Sequence, residues 1–324
     1  MMYFKLPTEN ALDDLKPTFG GHEKFVFRHG WLKKGVDAVL DDTAIFSSDQ
    51  ALVTLGVGKN MVRSIRHWCL ATTLVEPIPG SGRTPELQPT TLGRDLLADA
   101  GWDPYCEDPA TLWLLHWLLV TNRTRALIWH FTFTAYFESE FTKRQLVAFI
   151  TRQLEKHSIT TTQGMIEREV DACLRTYVPN SRRAATGTVN EESLDCPLAE
   201  LDLLRYNADD NIYQFNVGPK PTLPTTLFGF ALVSYWPIMA QSRQTAAVDE
   251  CIYRPHSPGQ AFKLDENSVI EYLEALEVLT KGKFRLQETA GIRQVYAPAL
   301  SPTELAEIAS QLLQHHYSRN SSGA

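Results

Sequence analysis

Two stretches of this chain put chemically capable side chains at telling spacings. The first is Phe19-Gly20-Gly21-His22-Glu23. The glycines admit backbone angles closed to other residues, so an imidazole and a carboxylate meet at a tight bend. That pair suits proton transfer or metal ligation. The same histidine could equally hydrogen-bond the backbone and shape the turn, since no HExxH-type partner spacing accompanies it. The second stretch holds Lys59, Asn60, Arg63, Arg66 and His67, in a run with no acid between Asp49 and Glu76. Cations repeating on one helix side contact phosphates, and amides and guanidiniums read base edges. Lys33, Lys34 and Arg83 are candidates for the same surface, although a lysine pair at a helix end is also an ordinary solvated feature.

The elements that must hold these residues follow from patterning. Trp31 to Leu40 reads as a short helix with Leu32, Val36 and Val39 inward and Lys33 and Lys34 outward. Ser47 with Gln50 offers a capping box for a helix through Ala51, Leu52 and Leu55, which Gly56 stops. A second helix runs from about Asn60 to Thr73, with Met61, Ile65, Trp68 and Thr72 inward and Lys59, Arg63, Arg66 and His67 on roughly the other side. Strand-like Leu74-Val75-Glu76, a Pro/Gly/Arg-rich excursion and a return at Leu87 make a hairpin, and Thr91 caps a further helix. Helix, turn, basic helix, hairpin, helix is the order of a winged helix-turn-helix. Such modules also dock proteins, so the acid-free run and the wing are what favour DNA.

At 324 residues, 44% hydrophobic and 21% charged, the chain has material for two or three folded units. A net charge of −7 excludes a dedicated non-specific DNA coat, so nucleic-acid contact must be a local patch. The five cysteines, Cys69, Cys106, Cys173, Cys196 and Cys251, form neither a zinc pair nor a CxxC motif, which points to reduced thiols in the cytoplasm. No opening stretch has signal-sequence length, and the run Leu112 to Val120 is too short to span a bilayer. No membrane association is expected.

The predicted fold class is mainly α with small β-hairpins (α+β). It divides into a winged-helix domain over 1–100 after a loosely held lead-in, a helical scaffold over 101–180, and a C-terminal α+β domain over 181–324. Asp108 caps a helix apolar nearly all round, and Thr124 to Tyr136 is helix or strand. Helices follow over Lys143 to His157 and Thr162 to Tyr177, and residues 179–192 form a long loop or boundary. Beyond it come a strand at Ile212 to Val217, a helix from Thr225 stopped by Pro237, a strand at Ala261 to Leu264 and a helix over Glu266 to Leu279. Lys283 to Gln287 and Ile292 to Tyr296 form a hairpin, and the last helix runs from Pro302 to His315. Glu271, Glu274 and Glu277 would repel phosphate, so the C-terminal domain suits protein binding. Asp209, Asp210 and Lys220 make a poor PD-(D/E)xK set, and Asp209-Asp210 reads better as turn chemistry.

Beyond these readings there is a resemblance. Phe19-Gly20-Gly21-His22-Glu23, Gly30-Trp31-Leu32-Lys33-Lys34-Gly35, Leu55-Gly56-Val57-Gly58-Lys59-Asn60-Met61-Val62 and Asp108-Pro109-Ala110-Thr111-Leu112-Trp113-Leu114-Leu115-His116 carry it. So do Ser257-Pro258-Gly259 and Ala290-Gly291-Ile292-Arg293-Gln294-Val295. With them the chain resembles a bacterial domain family, long labelled only as of unknown function, that includes the nicking component of a single-stranded DNA phosphorothioation (Ssp) system used in phage defence. The resemblance implies a nickase that opens one strand of double-stranded DNA, so that a sulfur-transfer partner can replace a non-bridging phosphate oxygen. It implies as companions a cysteine desulfurase, an ATP-pyrophosphatase-like sulfur enzyme and an ATPase, and leaves a homodimer open. It carries over no catalytic residue. A divalent Mg or Mn ion held by carboxylates and a histidine would serve phosphodiester cleavage, with His22 and Glu23 the candidates. The other reading is a winged-helix adaptor or regulator that positions DNA while another subunit cuts.

Overall fold

The structure, a computed structural model, describes residues 15–80, 85–178, 196–241, 243–289 and 291–320. Residues 1–14 of the expected 1–18 lead-in, Arg83, and the expected boundary loop over 179–192 lie outside the described residues. The architecture is α+β: mostly helical, with three small antiparallel sheets. The chain forms two compact units, one of residues 15–132 and 136–216, the other of 133–135 and the described residues from Val217 onward.

In the first unit α1 (Trp31–Asp41) packs on α3 (Lys59–Ala71). Gly35 makes that approach possible, because a Cβ there would overlap the Cys69 sulfur. Between them lies α2 (Ala51–Leu55), ended by Gly56 in the left-handed region at φ 64°. The Ser47 capping box does not form: Ser47 closes a short 3-10 turn and Gln50 stands at the helix N-terminus with no side-chain cap. After α3, β1 (Val75–Pro77) pairs antiparallel with β2 (Leu87–Pro89), Glu76 opposite Gln88. Thr90, not Thr91, caps α4 (Thr91–Leu97), its hydroxyl accepting from the Gly93 amide at 3.0 Å.

The helix α5 (Pro109–Thr121), apolar nearly all round, is buried at every residue from Ala110 to Val120, and Asp108 caps it by accepting from the Ala110 amide at 2.9 Å. The ambiguous stretch resolves as a helix, α6 (Leu127–Thr134). Its Thr132 hydroxyl donates back to the Ile128 carbonyl at 2.7 Å, which satisfies a β-branched polar residue inside a buried helix. Thr142 and Gln145 form a reciprocal capping box on α7 (Lys143–Lys156), and Thr162 caps α8 (Gln163–Tyr177). A sheet of order β3-β5-β4 follows, from β3 (Glu140–Phe141), β4 (Leu204–Asn207) and β5 (Ile212–Phe215). The β4–β5 turn confirms the turn role of the acidic pair, since Asn207 accepts from the Asp209 amide at 3.0 Å and donates to Asp210 at 2.7 Å.

The second unit is built on α9 (Thr225–Ala240), buried nearly all round. Pro237 does not stop it: the helix carries the proline inside and ends at Gln241, which adopts φ 46°. The strand expected at Ala261 to Leu264 is instead a helix, α11 (Pro258–Phe262), which follows α10 (Val248–Tyr253). Ser257 accepts from the Gln260 amide at 3.3 Å and Pro258 fills the first helical position, start signals that outweigh four residues of alternation. Next come α12 (Glu266–Leu279), capped by Asp265, and the hairpin β7 (Arg285–Thr289) with β8 (Ile292–Tyr296), extended by β6 (Thr245–Ala247) in the order β6-β8-β7. The last helix, α13 (Pro302–Asn320), packs on α9.

Candidate nucleic-acid interface

The Gly20-Gly21 bend is fastened to α8. Gly20, at φ 75°, donates its amide to Glu169 Oε1 at 2.5 Å, and His22 Nε2 lies 3.2 Å from the same oxygen. The Lys24 amide donates to His22 Nδ1 at 3.1 Å, so the network places the ring proton on Nε2. Arg175 of α8 donates to the Lys24 carbonyl at 2.9 Å, and Trp68 of α3 donates to the Phe25 carbonyl at 3.0 Å. His22 is buried at 1% exposure with both ring nitrogens engaged. It is a turn-shaping histidine in this arrangement. Glu23, at φ 48°, turns the other way, its carboxylate 3.3 Å from Arg63 Nη1.

The two neighbours therefore do not converge on one point. Mg2+ takes oxygen donors in near-octahedral order and keeps several waters. A buried imidazole with one buried carboxylate does not fit that need, and among the described residues no three His, Cys, Asp or Glu side chains group to hold a metal ion.

Along α3, Lys59, Asn60 and Arg63 are exposed and Arg66 is half-buried. Spacings of four and three residues set the three cations on one side. Two residues expected on the basic surface are placed otherwise. Lys33 is not outward: it is buried at 7% exposure, its ammonium 2.6 Å from Asp37 and 2.7 Å from Asp99. Burial works against its charge, but the two carboxylates prevail and its pKa is raised. His67 is buried at 4% exposure and faces the Gly20-Gly21 bend so closely that a Cβ on Gly21 would overlap its Nδ1. Lys34 is exposed, with Nζ 3.4 Å from the Leu55 carbonyl.

One residue that the patterning did not flag belongs with this group. Arg125 follows a turn in which Asn122 donates to the Leu70 and Ala71 carbonyls at 3.1 and 2.9 Å, capping the end of α3 from outside. The Asn122 side-chain oxygen in turn accepts from the Arg125 amide at 3.1 Å. Arg125 is half-buried, and its charge is felt at both Arg66 and His67. The sequence carried one signal for it, a second acid-free run from Pro109 to Phe137 with Arg123 and Arg125 between two apolar helices.

None of the described helices is long and apolar enough to cross a membrane. No curated protein matches the chain. Two solved structures do. One, described as a magnesium ion-bound SspB crystal structure, is 29% identical with a TM-score of 0.83, covering 95% of this chain and 90% of that one. The other, an SspB crystal structure, is 28% identical with a TM-score of 0.82 over the same shares. The model of a family described as "Protein of unknown function (DUF4007)" matches residues 19–317, nearly the whole chain, and the protein belongs to that family.

Proposed function

We propose that this protein binds double-stranded DNA and nicks one strand within a bacterial phosphorothioation defence system of the Ssp type. In this reading α1 to α4 and the β1–β2 hairpin work as a winged helix-turn-helix. The observation that carries the proposal is the line Lys59, Asn60, Arg63, Arg66 on α3, three exposed and one half-buried, on a chain of net charge −7. A local cationic ridge on an anionic body attracts phosphate without coating it. The likeness to SspB at 29% identity over 95% of the chain supports the defence setting. The magnesium of that relative supports Mg or Mn as the ion of the reaction, held elsewhere than on His22. Glu23, at the surface beside Arg63, is the member of the expected catalytic pair that DNA can reach. The implied companions remain a cysteine desulfurase, an ATP-pyrophosphatase-like sulfur enzyme and an ATPase. The exposed Glu271 and Glu274 of α12 suit a protein partner rather than DNA.

The engagement of both His22 nitrogens favours a second reading, a DNA-positioning adaptor whose partner cuts. Supercoiled plasmid with Mg2+ or Mn2+ separates the two. Open-circle product lost in Glu23→Ala supports the nickase and its site. Nicking that survives the change removes the site alone, and binding without nicking leaves the adaptor.

A further inference from the structure

Arg66 and Arg125 come from different elements, a helix and a loop, and the Asn122 clamp fastens the loop of Arg125 to the C-terminal end of the helix that carries Arg66. Asn122 grips the carbonyls of Leu70 and Ala71, one helical turn beyond Arg66, and its own side chain also accepts from the Arg125 amide. The Thr18 amide donates to the Thr124 carbonyl at 2.8 Å, which brings the approach to the Gly20-Gly21 bend along the same side. His67 lies beneath that bend, beside Arg66 in sequence.

These groups lack what half-buried charges normally have. Arg63, four residues from His67, is answered by Glu23, and Lys33 by Asp37 and Asp99. Among the described residues neither Arg66 nor Arg125 has a carboxylate or a hydrogen bond from its guanidinium, and neither ring nitrogen of buried His67 has a partner. Buried charges are paired, and buried polar atoms are satisfied. Two half-buried guanidiniums whose charges oppose each other, beside an imidazole with no partner among the described residues, make a place suited to an anion. Arg matches phosphate oxygens in a planar fork, which a lone lysine cannot do.

We propose that Arg66 and Arg125, backed by His67, form a receptor for one phosphate group of a DNA backbone. The receptor sits where the ridge of α3 runs into the body of the first unit, so a phosphate held there fixes the register of the duplex along Lys59 and Arg63. Burial, and at Arg66 also the Arg125 charge, lower both guanidinium pKa values, as expected where a counter-charge is missing. The DNA source rests on the function proposed above, whereas the phosphate chemistry does not.

The test uses the full chain with Arg66→Gln, Arg125→Gln, Lys59→Ala on the ridge and, as a control away from it, Arg144→Ala on the exposed side of α7, each checked for fold by circular dichroism. The first arm compares thermal midpoints in inorganic phosphate and in chloride at equal ionic strength. The general salting effect of phosphate is common to all variants, so the readout is the excess in the wild type. That excess should vanish in both glutamine variants and persist in Arg144→Ala. The second arm measures duplex affinity across salt. Arg125→Gln should cost about tenfold and flatten the salt slope by about one. An equal phosphate response in every variant, with unchanged affinity in Arg125→Gln, overturns the receptor. If Lys59→Ala then still weakens binding, DNA binding survives without it. A phosphate response confined to Arg66 and Arg125 in a protein that binds no duplex keeps the receptor and removes DNA as its source.

Discussion

The Glu23 carboxylate stands 3.3 Å from Arg63 Nη1, so the protein itself occupies one of the cations on its basic ridge. The pair is exposed, and such pairs contribute little to stability. Under the proposed function its effect is on ligands, because a DNA phosphate would compete with Glu23 for Arg63. Glu23→Gln should raise duplex affinity a few-fold and steepen the salt dependence, while Arg63→Ala lowers affinity. Fluorescence anisotropy across a salt series checks both, and equal affinity in all three proteins would remove Arg63 from the interface.

Glu169 holds the Gly20 amide and His22 from within the core at 3% exposure. Replacing it by alanine strands a buried imidazole and an amide, at a cost of about 2–4 kcal/mol. Urea midpoints of Glu169→Ala and the milder Glu169→Gln should fall in that order. The residues of the basic ridge should then bind DNA less tightly as well, because the bend that flanks His67 is no longer fixed.

Burial, then the charges of His22, Arg125 and Arg66, lower His67 from 6.5 to about 3. Between those values the unfolded chain binds one more proton than the folded one. The neutral form therefore favours folding above pH 6.5, and that contribution is lost as pH falls toward 3. The slope from this group reaches at most about 1.4 kcal/mol per pH unit. Urea titrations between pH 4 and 7 should show His67→Gln losing less stability on acidification than the wild type.

Burial pushes the thiols of Cys69 and Cys251 up to about 12, and burial with the Asp103 carboxylate does the same for Cys106. Cys173 is raised further by burial. At pH 8 their thiolate content is about a thousandfold below that of an ordinary thiol. Iodoacetamide should leave the buried Cys69, Cys173 and Cys251 unlabelled in the native protein and label them in urea. Prompt native labelling of Cys69 would contradict its placement.

Gly93 sits where any Cβ would overlap the Leu74 carbonyl oxygen, the same oxygen that accepts from the Thr90 amide at 3.0 Å. Gly93→Ala must therefore move α4 away from the hairpin. Its expected cost is about 2 kcal/mol or more, readable as a lowered thermal midpoint, with α3-dependent DNA binding reduced in step.

Much of this arrangement was legible because local signals agree with burial. Asp108-Pro109 opens a helix with no polar side and Thr142 with Gln145 opens an amphipathic one; both lie where their caps put them. What failed had a long-range cause. Lys33 follows Leu32 around α1, where Asp37 one turn on and Asp99, 66 residues away, both hold its ammonium, and helical spacing carries no trace of the second. His67 neighbours the basic side of α3, but the bend at Gly21 covers it, and that contact has no trace in helical spacing. Arg125 was hidden for the opposite reason, as a short loop between apolar helices draws attention to its flanks. Pro237 shows that a helix breaker inside a buried apolar segment is overruled by the burial around it.

The bond that fastens the Gly20–Lys24 segment reaches 147 residues along the chain. During synthesis this segment leaves the ribosome early and must wait for α8 before it has anything to close against. Until that strand of nascent polypeptide arrives, α3 can be helical yet lacks one wall of its surroundings. A truncated product ending before Glu169 would thus carry every cation of the ridge and still lack the contact that closes the bend over His67.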